Sequence, residues 1–266
     1  MLALSESFVH TYFNRVYNPM YDLTVGRFTI YQKLQEKCIE QLELRPNAQV
    51  LCVGVGTGNE ITHLLRARPD VQITGIDMSE LALQKAAEKA RRCGSRIETR
   101  RMDARHLQFP DQSFDNVLCI HLMDFVPEGE EATRELLRVL RRDGRFAITY
   151  PADLEGVGLG ASFLREGVGE NLRKRRFLTA LGEVLAAATI AFVYLPLLFR
   201  AKQQVYTEER LRSLYDSLGA GDVHIESHRA YFDFLVTGSH KKLIEGQTVE
   251  QESRTSRGLV LLQPVG

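Results

Sequence analysis

Several things are scarce or missing in this chain, and each absence removes a class of function. Cysteine occurs four times, at Cys38, Cys52, Cys93 and Cys119, with neither the spacing of a metal-ligand set nor that of a disulfide framework. No metal site is expected, and a reduced, intracellular protein is the plain reading. Net charge is missing too: 34 Lys and Arg balance 34 Asp and Glu, so overall charge supplies no attraction to nucleic acid. Met1 is not followed by a cationic and then apolar leader, so no secretory signal is expected and the location reads as cytoplasmic. No apolar run reaches the roughly 20 residues of a membrane-spanning helix. Val184 to Phe199 comes nearest, with sixteen uncharged residues interrupted by Pro196.

What is present is organised around Val50-Leu51-Cys52-Val53-Gly54-Val55-Gly56-Thr57-Gly58-Asn59-Glu60. A short apolar, β-branched run predicts a buried strand. Three glycines at alternate positions predict a turn with room for a ligand against bare backbone, and the following amphipathic segment brings free helix N–H groups to it. Val71 to Ile76 predicts a second strand ending at Asp77, nineteen residues past Gly58, where nucleoside-binding α/β sheets place a ribose-binding acid. A third strand over Arg96 to Met102 ends at Asp103-Ala104, and a fourth over Phe114 to Ile120 ends at Cys119-Ile120-His121. Every one of these motifs falls at the carboxyl end of a strand, where open parallel sheets bind ligands.

These four motifs, in this order over roughly residues 45 to 150, resemble the class I S-adenosylmethionine-dependent methyltransferases. The resemblance implies a Rossmann-like α/β fold: a seven-stranded, mostly parallel sheet, helices on both faces, and a C-terminal antiparallel hairpin. It implies S-adenosyl-L-methionine as cofactor, with Gly54, Val55, Gly56, Thr57 and Gly58 under the methionine end. Asp77 and Met78 would sit at the ribose, Asp103 and Ala104 at the adenine, and Cys119, Ile120 and His121 along the fourth strand tip. Two departures stand out. Cys52 occupies the place where the family usually carries an acid near the cofactor's ammonium, which leaves backbone carbonyls to serve that group. The histidines that many small-molecule members carry just past the fourth strand are replaced by Asp124 and Phe125, with His121 slightly earlier.

Residues 1–45 predict a helical cap, with one helix broken at Asn18-Pro19 and a second from about Val25 to Leu42. Tyr12, Tyr17 and Tyr21 read either as core residues or as lining over the cofactor; Tyr21, beside Asp22, is the candidate for the methionine carboxylate. Residues 46–150 form the cofactor-binding core, ending in a fifth strand after the Asp143-Gly144 turn. Tyr150, at its end, is a candidate on the substrate side together with Tyr12 and Tyr17. Residues 151–205 are an insertion that this core does not require. It carries the basic run Arg173-Lys174-Arg175-Arg176 ahead of the apolar stretch, a combination that fits a peripheral membrane contact over 173–202, a hydrophobic lid or an oligomer seam. No aromatic interleaving supports nucleic acid. Residues 206–240 supply a closing helix and hairpin, and 241–266 read as a flexible tail.

The expected chemistry is methyl transfer to a small, hydrophobic or lipid-like acceptor such as a quinone. His121 is the first candidate for proton handling and Asp124 the second. A cofactor-binding protein without transfer and a nicotinamide oxidoreductase are the rival readings.

Overall fold

The computed structural model describes residues 8, 11–152, 164–194, 205–228 and 233–240. The expected tail over 241–266, and the insertion segments 153–163 and 195–204 with Pro196, lie outside them.

Seven strands form one sheet: β1 (Gln49–Val53), β2 (Gln72–Asp77), β3 (Glu98–Arg101), β4 (Phe114–Cys119), β5 (Leu140–Pro151), β6 (Ala220–His228) and β7 (Asp233–His240). Their spatial order is β3-β2-β1-β4-β5-β7-β6. The first five run parallel; β7 pairs antiparallel with both β5 and β6. The order reverses beside β1, between β2 and β4, the position at which open α/β sheets bind ligands.

Burial explains the sheet. Val50, Leu51, Cys52 and Val53 are all at most 2% exposed, as a central strand covered on both faces requires. One face packs under helices α2 (Thr29–Glu40), α3 (Asn59–Ala67) and α4 (Glu80–Arg92), through Leu34, Ile61, Leu64 and Ala86. The other packs under α5 (Gly129–Val139) and the closing helix Glu208–Ser217, through Leu136, Leu211 and Tyr215.

Local expectations needed three adjustments. Asn18-Pro19 does not end the first helix: a π-helical turn over Phe13–Tyr17 runs directly into α1 (Asn18–Tyr21). Proline is tolerated there because it sits at the start of the α-helical segment. The third strand covers only Glu98–Arg101. The Asp143-Gly144 turn lies within β5, where Asp143 takes φ +62° and the register against β4 shifts. The insertion contributes a π-turn over Leu164–Val168, α6 (Gly169–Arg173) and the 18-residue α7 (Phe177–Tyr194), followed after the undescribed stretch by α8 (Glu208–Ser217).

Candidate active site

The site starts from the turn between β1 and α3. Gly54, Gly56 and Gly58 all take positive φ, and they do different jobs. A Cβ on Gly54 would meet the Leu122 side chain at 2.8 Å, and one on Gly58 would meet the Ala86 backbone at 2.8 Å. A Cβ on Gly56 would find nothing nearer than the Gly54 carbonyl at 3.9 Å. Gly56 therefore presents backbone to open space, and a side chain there would fill it.

Asp77 organises this turn. Its Oδ2 accepts from the Gly56 N–H at 2.9 Å and its Oδ1 from the Ser79 N–H at 2.8 Å. The carboxylate thus joins the second strand tip to the glycine turn. Val55 donates to the Ile76 carbonyl at 3.0 Å and accepts from Gly58 N–H at 2.9 Å, which fixes the turn against β2. A cradle of bare backbone beside a preset carboxylate suits a nucleoside cofactor whose other end carries an amino acid.

The helical N-terminal segment lies across this turn. Asn18 donates to the Ser79 hydroxyl at 3.1 Å, Asn14 pairs with the same hydroxyl, and Lys85 donates to the Asn18 carbonyl at 3.1 Å. Asp22 accepts from Thr57 Oγ1 at 2.6 Å and from Lys89 Nζ at 2.7 Å. Tyr21 donates to the Tyr31 hydroxyl at 2.6 Å, and burial raises its pKa so that it stays a neutral phenol. Tyr17 is buried against Val193 of α7, and Tyr12 donates to the Val193 carbonyl at 2.7 Å.

Beside the cradle stands a cluster of ionisable groups. His121 takes φ +56° directly after β4, and its N–H donates to Thr149 Oγ1 at 2.7 Å. That strained turn swings the ring beneath Tyr31, stacked at 5.4 Å, and aims Nδ1 at two acids. Nδ1 lies 2.9 Å from Asp233 Oδ2 and 3.6 Å from Asp124 Oδ2. Both acids are buried. Burial works against the imidazolium, yet Asp233 and Asp124 together outweigh it and hold the His121 pKa up at about 10. With the pKa raised that far, the ring is mostly protonated at neutral pH and, paired with Asp233 and Asp124, is poorly placed to act as a base.

Glu60, in the first turn of α3, is a further buried acid at 9% exposure. Burial raises its pKa to about 8, against the pull of Lys89. It is close enough to Cys52 and Tyr31 to perturb both. The carboxyl missing from position 52 is thus present in the same neighbourhood, carried by the next helix.

Other expected residues stand differently. Asp103 is gripped by Arg105, whose Nη2 lies 2.7 Å from Oδ2 and whose own backbone N–H is 2.9 Å from Oδ1; these bonds lower the Asp103 pKa. An adenine amino group would have to share that carboxylate. An open groove of about 390 Å³ lies alongside, lined by Arg105, His106 and Glu135, but it is charged and removed from the glycine turn. Met78 is exposed, Ala104 and Cys119 are buried, and Ile120 is partly buried against the core. Tyr150 is corrected: it is 0% exposed, and its hydroxyl is shared between Thr133 at 2.7 Å and Tyr215 at 2.8 Å. Strand alternation turns it into the core under α5 and α8, away from the substrate side.

Two site residues escaped the sequence reading. Asp233 interrupts the apolar alternation Phe232-Asp233-Phe234-Leu235-Val236, and Glu60 falls on the same helix face as Ile61, Leu64 and Leu65. An acid at a position that periodicity assigns to the core was the available signal in both cases.

Comparison with known proteins bears on this arrangement. Residues 51–148 match the family model described as a methyltransferase domain. The chain is 37% identical over 131 residues to a phosphatidylethanolamine N-methyltransferase of Cereibacter sphaeroides, covering 48% of this chain and 62% of that protein. It is 29% identical over 217 residues to a ubiquinone/menaquinone biosynthesis C-methyltransferase of Desulfotalea psychrophila, covering 77% and 82%. The chain spans less than two thirds of the length of the first of these, and of two further curated methyltransferases it matches. Magnesium protoporphyrin IX methyltransferase from Synechocystis PCC 6803, solved with bound SAH, shares the fold with a TM-score of 0.60 at 16% identity, over 88% of this chain and 99% of that one.

Proposed function

Through residues 51–148 this chain belongs to the class I S-adenosylmethionine-dependent methyltransferases, and on that premise we propose that it methylates a small, hydrophobic, lipid-like acceptor. The observation that carries the reading is the open backbone at Gly56, held against Asp77 at 2.9 Å. When bound there, S-adenosylmethionine supplies a methyl group already activated on a sulfonium, so the protein's work is positioning and water exclusion.

Each residue then has a task. Gly54 to Gly58 cradle the amino-acid end, and Asp77 accepts from the ribose hydroxyls. Asp103 holds the adenine edge in competition with Arg105. Glu60, mostly protonated at neutral pH, supplies near the cradle the carboxyl that Cys52 cannot. The segment from Tyr12 to Asp22 closes over the turn through its bonds to Ser79, Thr57 and Lys89, and shuts out water. His121 stays charged and holds Asp124 and Asp233 in place. When the acceptor must lose a proton, Asp124 takes it, since Nδ1 binds it less closely (3.6 Å) than it binds Asp233 (2.9 Å).

The lipid-like acceptor is supported by the apolar outer surface of α7 beside this lid, and by the relatives, one named for phosphatidylethanolamine and one for quinones. Peripheral work at a membrane is part of the same reading; no helix among the described residues is long and apolar enough to cross one.

Calorimetric titration with S-adenosylhomocysteine and with NAD, followed by incubation of the chain with labelled methyl donor and lipid or quinone extracts, tests the proposal. Binding of S-adenosylhomocysteine and label in the organic phase are expected. Binding of NAD alone, or S-adenosylhomocysteine binding with no label transferred to any extract, contradicts it.

A further inference from the structure

Helix α7 is built inside out. A surface helix normally turns its apolar stripe to the core and its charges to water. The one charged residue of α7, Glu183, is 2% exposed and faces inward. There it accepts from the Thr29 backbone N–H at 2.8 Å and from Asn171 Nδ2 at 3.1 Å. Ala180, Ala186 and Val193 share that inner face. The outer face carries Phe177, Leu178, Leu181, Val184, Leu185 and Phe192, between 42% and 86% exposed. Leu178, Leu181, Leu185, Ala188 and Phe192 recur at alternating steps of three and four, a continuous stripe along one side with no charge on it. At 1.5 Å per residue the stripe runs about 20 Å.

The start of this stripe is marked by charge. Arg173, Lys174, Arg175 and Arg176 precede Phe177 and are all exposed. Lys174 pairs with Glu170, whereas Arg173, Arg175 and Arg176 form no ion pair among the described residues. A protein with no net charge thus gathers cations at one end of this apolar face.

We propose that the outer face of α7, with Arg173, Arg175 and Arg176, lies in the headgroup layer of an anionic lipid bilayer. An apolar face of this length flanked by cations matches a helix lying flat in the interface, with side chains among the acyl ends and guanidinium groups on phosphates. Glu183 pins the inner face to the fold, so the helix docks as a rigid part of the protein. Tyr12 and Tyr17 hold the N-terminal lid to Val193, near the far end of the same helix. Docking through α7 therefore brings the lid, and the cradle under it, next to the bilayer. Docking itself stands apart from the acceptor assignment; only the delivery of a lipid-like acceptor rests on the proposed methyl transfer.

Flotation of the full chain with vesicles of phosphatidylcholine containing one third phosphatidylglycerol, beside vesicles of pure phosphatidylcholine, tests this. The chain is expected to float with the anionic vesicles at least tenfold more than with neutral ones, and the difference is expected to shrink in high salt. Leu178→Glu combined with Leu185→Glu is expected to abolish flotation, and Arg175→Glu with Arg176→Glu to reduce it several-fold. All four sites are exposed, so melting temperature and S-adenosylhomocysteine binding are expected to stay at the parent values in both variants. Unchanged flotation of the leucine variant overturns the proposal. So does a parent chain that sediments as a dimer without lipid and that the leucine substitutions split, because the stripe is then a seam between two copies. A parent chain that floats as expected but transfers no methyl group would instead count against the enzyme assignment and leave the docking proposal standing.

Discussion

Helices α4 and α7 both lie at the surface, and they show solvent opposite chemistry. α4 buries Ala82, Leu83, Ala86 and Ala90 and turns Arg91 and Arg92 outward, while its Ser79 cap accepts from the Ala82 N–H at 3.2 Å. α7 buries its single acid and turns Leu178, Leu185 and Phe192 outward. The first pattern follows from hydrophobic burial alone. The second leaves apolar area in water at roughly 25 cal/mol per Å², and folding of the described chain does not recover it. The comparison teaches where the two kinds of work are done. The strand tips near α4 are polar and latched by hydrogen bonds, whereas α7 leaves its apolar area open, the area proposed above to meet a bilayer.

The polar side of the comparison breaks most completely at Asp77. Asp77→Ala removes the acceptor of the Gly56 and Ser79 N–H groups and the proposed ribose ligand together. S-adenosylhomocysteine affinity, read by calorimetry, is expected to fall about 100-fold or more, the scale of two lost charge-assisted hydrogen bonds.

Within α7 the ordinary rule for surface helices is expected to reverse. Glu183→Leu makes the helix more apolar, yet it strands the Thr29 N–H and Asn171 amide, so a loss of about 2 kcal/mol in denaturant titration is expected. Leu185→Gln on the outer face is expected to change stability by less than about 0.5 kcal/mol. Equal costs at the two positions would erase the contrast.

The two buried ionisable sites sharpen the comparison through pH. His121 has a folded pKa near 10, above its usual value of about 6.5. Its stabilisation is full below the lower value and is lost as pH rises through the upper one. The gap in melting temperature between parent and His121→Gln should be widest near pH 6 and close toward pH 10, with about 1–3 kcal/mol at stake. Glu60 shifts upward as an acid, to about 8, so its penalty is absent at low pH and grows as pH rises toward that value. Glu60→Gln is thus expected to leave melting unchanged near pH 5 and to raise it above pH 8 by the equivalent of roughly 1 kcal/mol. The same variant tests its proposed role beside Cys52 by weakening S-adenosylhomocysteine several-fold.

Much of the fold was legible because its signals are local. Alternate glycines, strand runs of Val and Ile, and acids closing the second and third strands are read directly from neighbouring residues, and the five parallel strands with their closing hairpin follow. Of the candidate site, Gly56 and Asp77 were legible as residues of neighbouring strand tips, and the structure brings those two into contact. What escaped depends on long-range packing. Asp233 reaches His121 across more than a hundred residues, and Glu60 comes near Cys52 only once α3 folds back on β1. The side of the sheet on which Tyr150 lands depends on the register of β5, which shifts between Leu140 and Arg145. The apolar stretch of the insertion was visible, but not that Glu183 would face inward.

Gly56→Ala is the most direct measurement of the central claim, that a nucleoside cofactor lies on bare backbone at the strand tips. The nearest atom to an added Cβ is 3.9 Å away and φ is +51°, so the fold should lose only about 1–2 kcal/mol. With the cradle filled, S-adenosylhomocysteine affinity should drop at least tenfold. Unchanged affinity in a folded Gly56→Ala protein would contradict the account.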